Sequence, residues 1–175
     1  MKPIAPFLLV VFVNLIGTSA VAMPEQRLAM DFTLPSLAQS GAVRLSDYRG
    51  KVVYMDFWAS WCTACVISMP ELAALRSEFH AEGFELISIN VDTLADAGRA
   101  YLKNHPADYP VASDANGTMM KAMAVTALPI GFLIDATGTI RLTHRGYLPG
   151  QQDFLKANIQ KLLAEQRVLQ SDKHP

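Results

Sequence analysis

Val52-Val53-Tyr54-Met55-Asp56-Phe57-Trp58-Ala59-Ser60-Trp61-Cys62-Thr63-Ala64-Cys65 decides how the rest of this chain is read. The segment from Lys51 to Phe57 is a nearly continuous apolar run, the pattern of a strand covered on both faces. After Cys62 the period changes. Cys65, Met69, Leu72, Leu75, Arg76 and Phe79 recur at helical spacing, and the helix is expected to run to about His80, where Gly83 stops it. The two cysteines therefore fall where a buried strand hands over to a helix.

Working outward, Phe84 to Val91 reads as a second buried strand. Leu94 to His105 has helical character ended by Pro106, and Ala115 to Val125 is another helix candidate. Ile130 to Asp135, the turn Ala136-Thr137-Gly138 and Thr139 to Arg145 carry a hairpin signature. Gln151 to Gln166 is an amphipathic helix. On the N-terminal side, Phe32–Leu34 and Val43–Leu45 are short strands around the polar turn Gln39-Ser40-Gly41, and Ser46 to Gly50 is a helical turn. A strand–helix–strand opening followed by a hairpin and a helix implies an α/β fold, a mixed sheet flanked by helices.

Cys62 stands at the helix start, where unpaired amides and the helix dipole favour a negative sulfur. The thiolate is the nucleophile, so such a site makes Cys62 the attacking thiol. Cys65 lies nearly one turn on, within reach of a mixed disulfide formed at Cys62. Two structural readings compete. Half of a zinc site lacks a second cysteine pair, and His80, His105, His144 and His174 show no ligand spacing. An inert disulfide closing so short a loop removes little chain entropy.

Asp56 is an acid inside an apolar strand, costly unless it has a partner or a task. Burial would raise its pKa and suit it to exchanging protons with Cys65; a structural hydrogen bond is the competing reading. Trp58 and Trp61 flank the thiols, either as a docking surface or as packing. Pro70 falls inside the helix and should kink it. Leu128-Pro129 marks extended chain before a strand. Met119, Met120 and Met123, at helical spacing, read as core rather than as copper ligands.

Composition closes off other classes. The 175 residues suit one domain, with 51% hydrophobic and 18% charged residues. The net charge of −1 comes from interspersed signs, a poor match to nucleic acid. Only two cysteines are present, which excludes a disulfide-stapled mini-fold and a four-cysteine metal site. Residues 1–22 read as a cleaved signal peptide: Lys2, the apolar stretch Phe7–Ile16, and Ala20-Val21-Ala22 as the cleavage site. An uncleaved membrane anchor is the rival, but the stretch is short and Pro3, Pro6 and Asn14 interrupt it. The mature domain would span 23–168, with a polar tail at 169–175. Of the 15 basic and 16 acidic residues, cleavage removes one lysine, leaving 14 against 16. In an oxidising compartment a solvent-facing cysteine pair must be kept reduced by a partner or act as an oxidant.

These residues together resemble the thioredoxin superfamily, in its exported TlpA/ResA-like branch. Phe32-Thr33-Leu34-Pro35 and Leu45 through Val53 resemble that branch's N-terminal hairpin and its lead into the central strand. Asp56-Phe57-Trp58-Ala59-Ser60-Trp61-Cys62 is similar to the active-site approach. Cys65 with Met69-Pro70-Glu71-Leu72 resembles the kinked first helix, and Leu128-Pro129 with Phe132-Leu133-Ile134-Asp135 and Gly138 the cis-proline loop and closing hairpin.

The resemblance implies a thioredoxin fold with an added N-terminal hairpin and an inserted helical segment near 94–108. It implies catalysis by Cys62, Cys65 and Asp56, with no cofactor and no metal. Trp61, Leu128 and a cis Pro129 would bind substrate, the Leu128 backbone pairing with an extended strand. The implied partners are cysteine-containing exported proteins, among them apocytochromes c and copper-site proteins, with a membrane thiol reductase as electron donor. The location would be periplasmic and the direction reductive. A copper-delivery protein holding Cu(I) at the two thiolates is the alternative. Three positions depart from the branch: Thr63-Ala64 lacks a proline before Cys65, Ser68 replaces an acid, and Ile130-Gly131 follows Pro129. Gly131 is expected to enlarge the substrate groove.

Overall fold

The computed structural model describes residues 27–148 and 150–171; the signal-peptide segment lies outside them. Seven strands and four α-helices follow in the order β1 (Thr33–Pro35), β2 (Ala42–Arg44), β3 (Val52–Trp58), α1 (Thr63–Phe79), β4 (Phe84–Asn90), α2 (Ala95–Asn104), β5 (Val111–Ser113), α3 (Thr118–Ala122), β6 (Ile130–Ile134), β7 (Ile140–Arg145) and α4 (Gln152–Ser171). The main sheet has the order β5-β4-β3-β6-β7, and β1-β2 forms a separate pair. β3 runs parallel to β4 and antiparallel to β6, so the sheet is mixed.

β3 is central because every one of its residues is buried. Such a strand cannot face water on either side, and neighbours on both edges satisfy its backbone. Side-chain alternation places Tyr54, Asp56 and Trp58 on one face and Val53, Met55 and Phe57 on the other. Phe57 meets Phe132 of β6 edge-on at 6.0 Å between centroids. Helix α1 leaves the sheet at Cys62 and ends at Phe79. A short 3-10 turn then leads to Gly83, whose φ of 101° is the left-handed conformation that stops the helix.

The N-terminal pair and the helical insertion are both present. Leu45–Tyr48 forms a 3-10 turn where a helical turn is expected. Three elements differ from the sequence reading. β5 carries no strand signature; it exists because the edge of β4 offers it partners, Ser88 N–H donating to the Pro110 carbonyl at 2.9 Å. The 115–125 helix shrinks to Thr118–Ala122, since Asp114 and Asn116-Gly117 form a turn whose carboxylate takes the Met119 and Met120 amides. Helix α4 continues to Ser171, past the Gln166 end expected for it, and the Arg167 side chain pairs with Glu82 on this added length. No helix among the described residues is long and apolar enough to cross a membrane.

Candidate active site

Cys62 caps α1. Its backbone is extended, with φ −87° and ψ 98°, and its sulfur accepts the Cys65 N–H at 3.2 Å. A sulfur at the cap of a 17-residue helix sits where free amides and the dipole stabilise negative charge. Cys62 and Cys65 form a disulfide, with 5.2 Å between their Cα atoms. The Cys62 residue is 8% exposed and Cys65 0%, so attack from outside must come at Cys62. Cys62 is therefore less open than the attacking role expected of it suggests, although it remains the outer one of the pair.

The turn leading into Cys62 is held by a carboxylate that the sequence reading does not single out. Buried Asp92, two residues past β4, accepts the Ser60 N–H at 3.1 Å and the Ser60 hydroxyl at 3.2 Å. The Asn90 amide donates to the same carboxylate at 2.8 Å. Three donors on one buried acid fix where the chain turns towards the helix. Gly98 of α2 lies against Asn90; a Cβ there would come within 2.7 Å of the Asn90 side-chain oxygen.

The two tryptophans separate. Trp61 is 69% exposed beside the disulfide and is free to touch a partner. Trp58 is wholly buried and packs on Tyr101 of α2 at 5.2 Å, so it belongs to the core. Tyr101 in turn stacks on His105 at 4.3 Å. Tyr101, His105 and Tyr109 line a cleft of about 220 Å³ with Met69, Pro70 and Ala73, which sets the insertion against the proline-bearing part of α1. Ser68, in place of the acid, is buried and donates to the Cys65 carbonyl at 2.9 Å.

The Leu128-Pro129 peptide is cis. Ile130, next in the chain, pairs with Phe57 of β3, which ties this loop to the strand that delivers Cys62. The Pro129 carbonyl accepts from Gly146 N–H at 2.9 Å, so the residue just past β7 pins it as well.

Asp56 is 2% exposed, in the middle of β3. Burial raises its pKa from 3.8 to about 8, and its Oδ2 has no hydrogen-bond partner among the described residues. This is a carboxyl that carries its proton near neutral pH. The sign of the stability effect follows: the folded state holds a proton that the unfolded state has lost between pH 4 and 8, so stability falls as pH rises through that window. Asp56→Asn should stabilise the oxidised protein, with a gain that grows across the window towards an upper bound of about 6 kcal/mol. Urea unfolding at several pH values measures it; a gain that does not change with pH would show that Asp56 is not buried as a neutral acid.

Opposite Asp56 on β6 is Gly131, and opposite Gly131 on β7 is His144. Gly131 does not open a groove, contrary to the sequence expectation. The space its side chain would take is filled by Tyr54: a Cβ there would lie 2.7 Å from the ring Cε1 and closer still to the hydroxyl. The Tyr54 hydroxyl lies 3.0 Å from His144 Nδ1, and His144 Nε2 lies 2.9 Å from Gln151 Oε1. Sequence reading missed this group, although Tyr54 two residues before Asp56 on the same face was a visible signal.

Residues 26–143 match the model of the AhpC/TSA family. Among curated proteins, thiol-disulfide oxidoreductase ResA of Geobacillus kaustophilus is 32% identical over 124 residues, 71% of each chain. ResA of Bacillus thuringiensis subsp. konkukian is 34% identical over 98 residues, 56% of this chain and 57% of that one. The chain thus spans a little over half the length of the latter relative. A crystal structure of a thiol:disulfide interchange protein DsbE from Chlorobium tepidum superposes with a TM-score of 0.77 at 35% identity, covering 81% of this chain and 99% of that one. With the Cys62–Cys65 disulfide at the helix cap and the cis Pro129, the chain belongs to the AhpC/TSA family, among the ResA-like thiol–disulfide oxidoreductases of the thioredoxin superfamily.

Proposed function

We propose that this protein is an extracytoplasmic thiol–disulfide oxidoreductase that reduces disulfides in exported proteins. The observation that carries this is the Cys62–Cys65 disulfide at the α1 cap, one sulfur reachable and the other wholly buried. In the reduced protein the Cys62 thiolate attacks a substrate disulfide, forming a mixed disulfide and releasing one substrate thiolate. Asp56 must first release its own proton; its carboxylate, a stronger base for its raised pKa, then takes the Cys65 proton, and Cys65 attacks the Cys62 sulfur. The second substrate thiolate leaves, both substrate sulfurs take up protons, and two electrons have passed from protein to substrate. A membrane thiol reductase restores the dithiol.

Apocytochromes c and copper-site proteins fit as substrates because each presents a cysteine pair that must be reduced to take its ligand. Exposed Trp61, half-buried Leu128 and the Pro129 loop form the docking edge, where an extended substrate can pair with the Leu128 backbone. The residues before Met23 serve export. Cu(I) delivery by the two thiolates has no support from a third ligand: no group of three or more His, Cys, Asp or Glu residues is arranged to hold a metal among the described residues.

The redox potential of the Cys62–Cys65 pair, from equilibration in graded thiol buffers, tests the direction. A value below that of glutathione-poised buffers is the expected result, about 30 mV being a tenfold change in equilibrium constant. A strongly oxidising value would make the protein a disulfide donor and overturn the reductive assignment.

A further inference from the structure

The face of the sheet that carries Asp56 holds a chain of polar groups with a fixed direction. Gln151 Oε1 accepts the Leu148 N–H at 3.1 Å, so it is an acceptor at the end of the chain. His144 Nε2, 2.9 Å from that oxygen, must therefore donate. In the neutral imidazole Nδ1 is then the acceptor, and the Tyr54 O–H donates to it across 3.0 Å. His144 is buried, and its polar partners, Tyr54 and Gln151, are both uncharged; the Tyr147 ring lies edge-on at 6.3 Å.

This settles which way the Tyr54 hydroxyl points. Its proton faces His144, and its lone pairs are left on the side of Gly131. Asp56 and Gly131 are direct cross-strand partners, so the hydroxyl over Gly131 is a neighbour of the Asp56 carboxyl. The glycine is what permits the approach. From β4 the facing group is Ser88, and from the segment before β5 comes Tyr109, whose phenol is pushed up by burial and further by the Asp56 charge. No lysine or arginine contributes to the Asp56 shift.

We propose that Tyr54, oriented by His144 and Gln151, is a positioning residue that raises the proton affinity of Asp56 and so strengthens it as the base that takes the Cys65 proton. An oxygen that turns only its lone pairs towards a neighbouring carboxyl repels the carboxylate, so it raises the proton affinity of Asp56 beyond what burial does. The proposal deepens the assignment of Asp56 as the proton acceptor for Cys65, and rests on it.

The test is a carboxyl-carbon NMR titration of Asp56 in the oxidised protein, where neither cysteine titrates. Tyr54→Phe keeps the ring and removes the lone pairs. His144→Leu keeps the hydroxyl but frees it to turn and donate to Asp56. Both should lower the Asp56 midpoint, by on the order of one pH unit. His144→Gln, which again offers an acceptor to Tyr54, should restore it towards the wild-type value. An unchanged midpoint in Tyr54→Phe would overturn the proposal. The underlying reading fails separately: if Asp56→Asn exchanges disulfides as fast as wild type, Asp56 is not the proton acceptor, whatever the titrations show.

Discussion

Replacing Cys62 with serine should reduce disulfide exchange by more than about a thousandfold, the scale on which loss of a nucleophile acts. The reason lies in the positions of the two sulfurs. Cys65 is wholly buried, so it cannot take over the first attack when Cys62 is gone. A serine hydroxyl at the same helix cap would feel the same amides but remain protonated at neutral pH, whereas a thiol there is within reach of its thiolate. Cys65→Ser should behave differently. Cys62 can still open a substrate disulfide, but nothing resolves the product, so a mixed disulfide accumulates. Insulin reduction with a dithiol donor reads the first effect, and mass spectrometry of the trapped adduct reads the second. Appreciable turnover by Cys62→Ser would place the chemistry elsewhere. The trapped species from Cys65→Ser, recovered from the native host, would also name the substrates.

The second large effect concerns a residue with no side chain. Gly131→Ala should destabilise the oxidised protein by about 2–4 kcal/mol, a large share of the 5–15 kcal/mol typical of a domain. Gly131 is not among the glycines with positive φ, so conformational freedom is not what it supplies. The cost comes from space: its missing Cβ is where the Tyr54 ring and hydroxyl lie. An added methyl must push Tyr54 aside, which also breaks the hydroxyl's bond to buried His144 and leaves a ring nitrogen without a partner. Tyr54→Leu should therefore relieve much of the penalty, so that the two substitutions together cost less than their sum. Urea denaturation of the two single variants and the double variant measures this coupling. Strict additivity would mean that Tyr54 does not fill the Gly131 site.

What could be read along the chain was whatever local pattern alone enforces. Seven buried residues in a row made β3 a central strand wherever the rest of the chain went, because no exposed surface could hold them. The switch from that run to a helical period fixed Cys62 at a helix cap, and Gly83 ended the helix through its own backbone freedom. The redox chemistry followed from these features, since a sulfur's reactivity depends first on its place at a helix end. Asp56 was conspicuous for a similar reason, as an acid among apolar neighbours.

Tertiary structure decided everything that depends on a partner distant in sequence. β5 is three residues long and has no pattern of its own; the open edge of β4 makes it a strand. The roles of Trp58 and Trp61 diverge because α2 covers one and leaves the other in water. Asp92 becomes a clamp only when β4 brings it beside Ser60, 32 residues away. Gly131 looked like a gap in a groove until the sheet register set it between Asp56 and His144, under a tyrosine. Tyr54 and His144 are 90 residues apart, and one hydrogen bond between them gives the hydroxyl its direction. Periodicity reports which face a side chain takes, but the partner on that face is supplied by strand pairing, which a single strand does not encode.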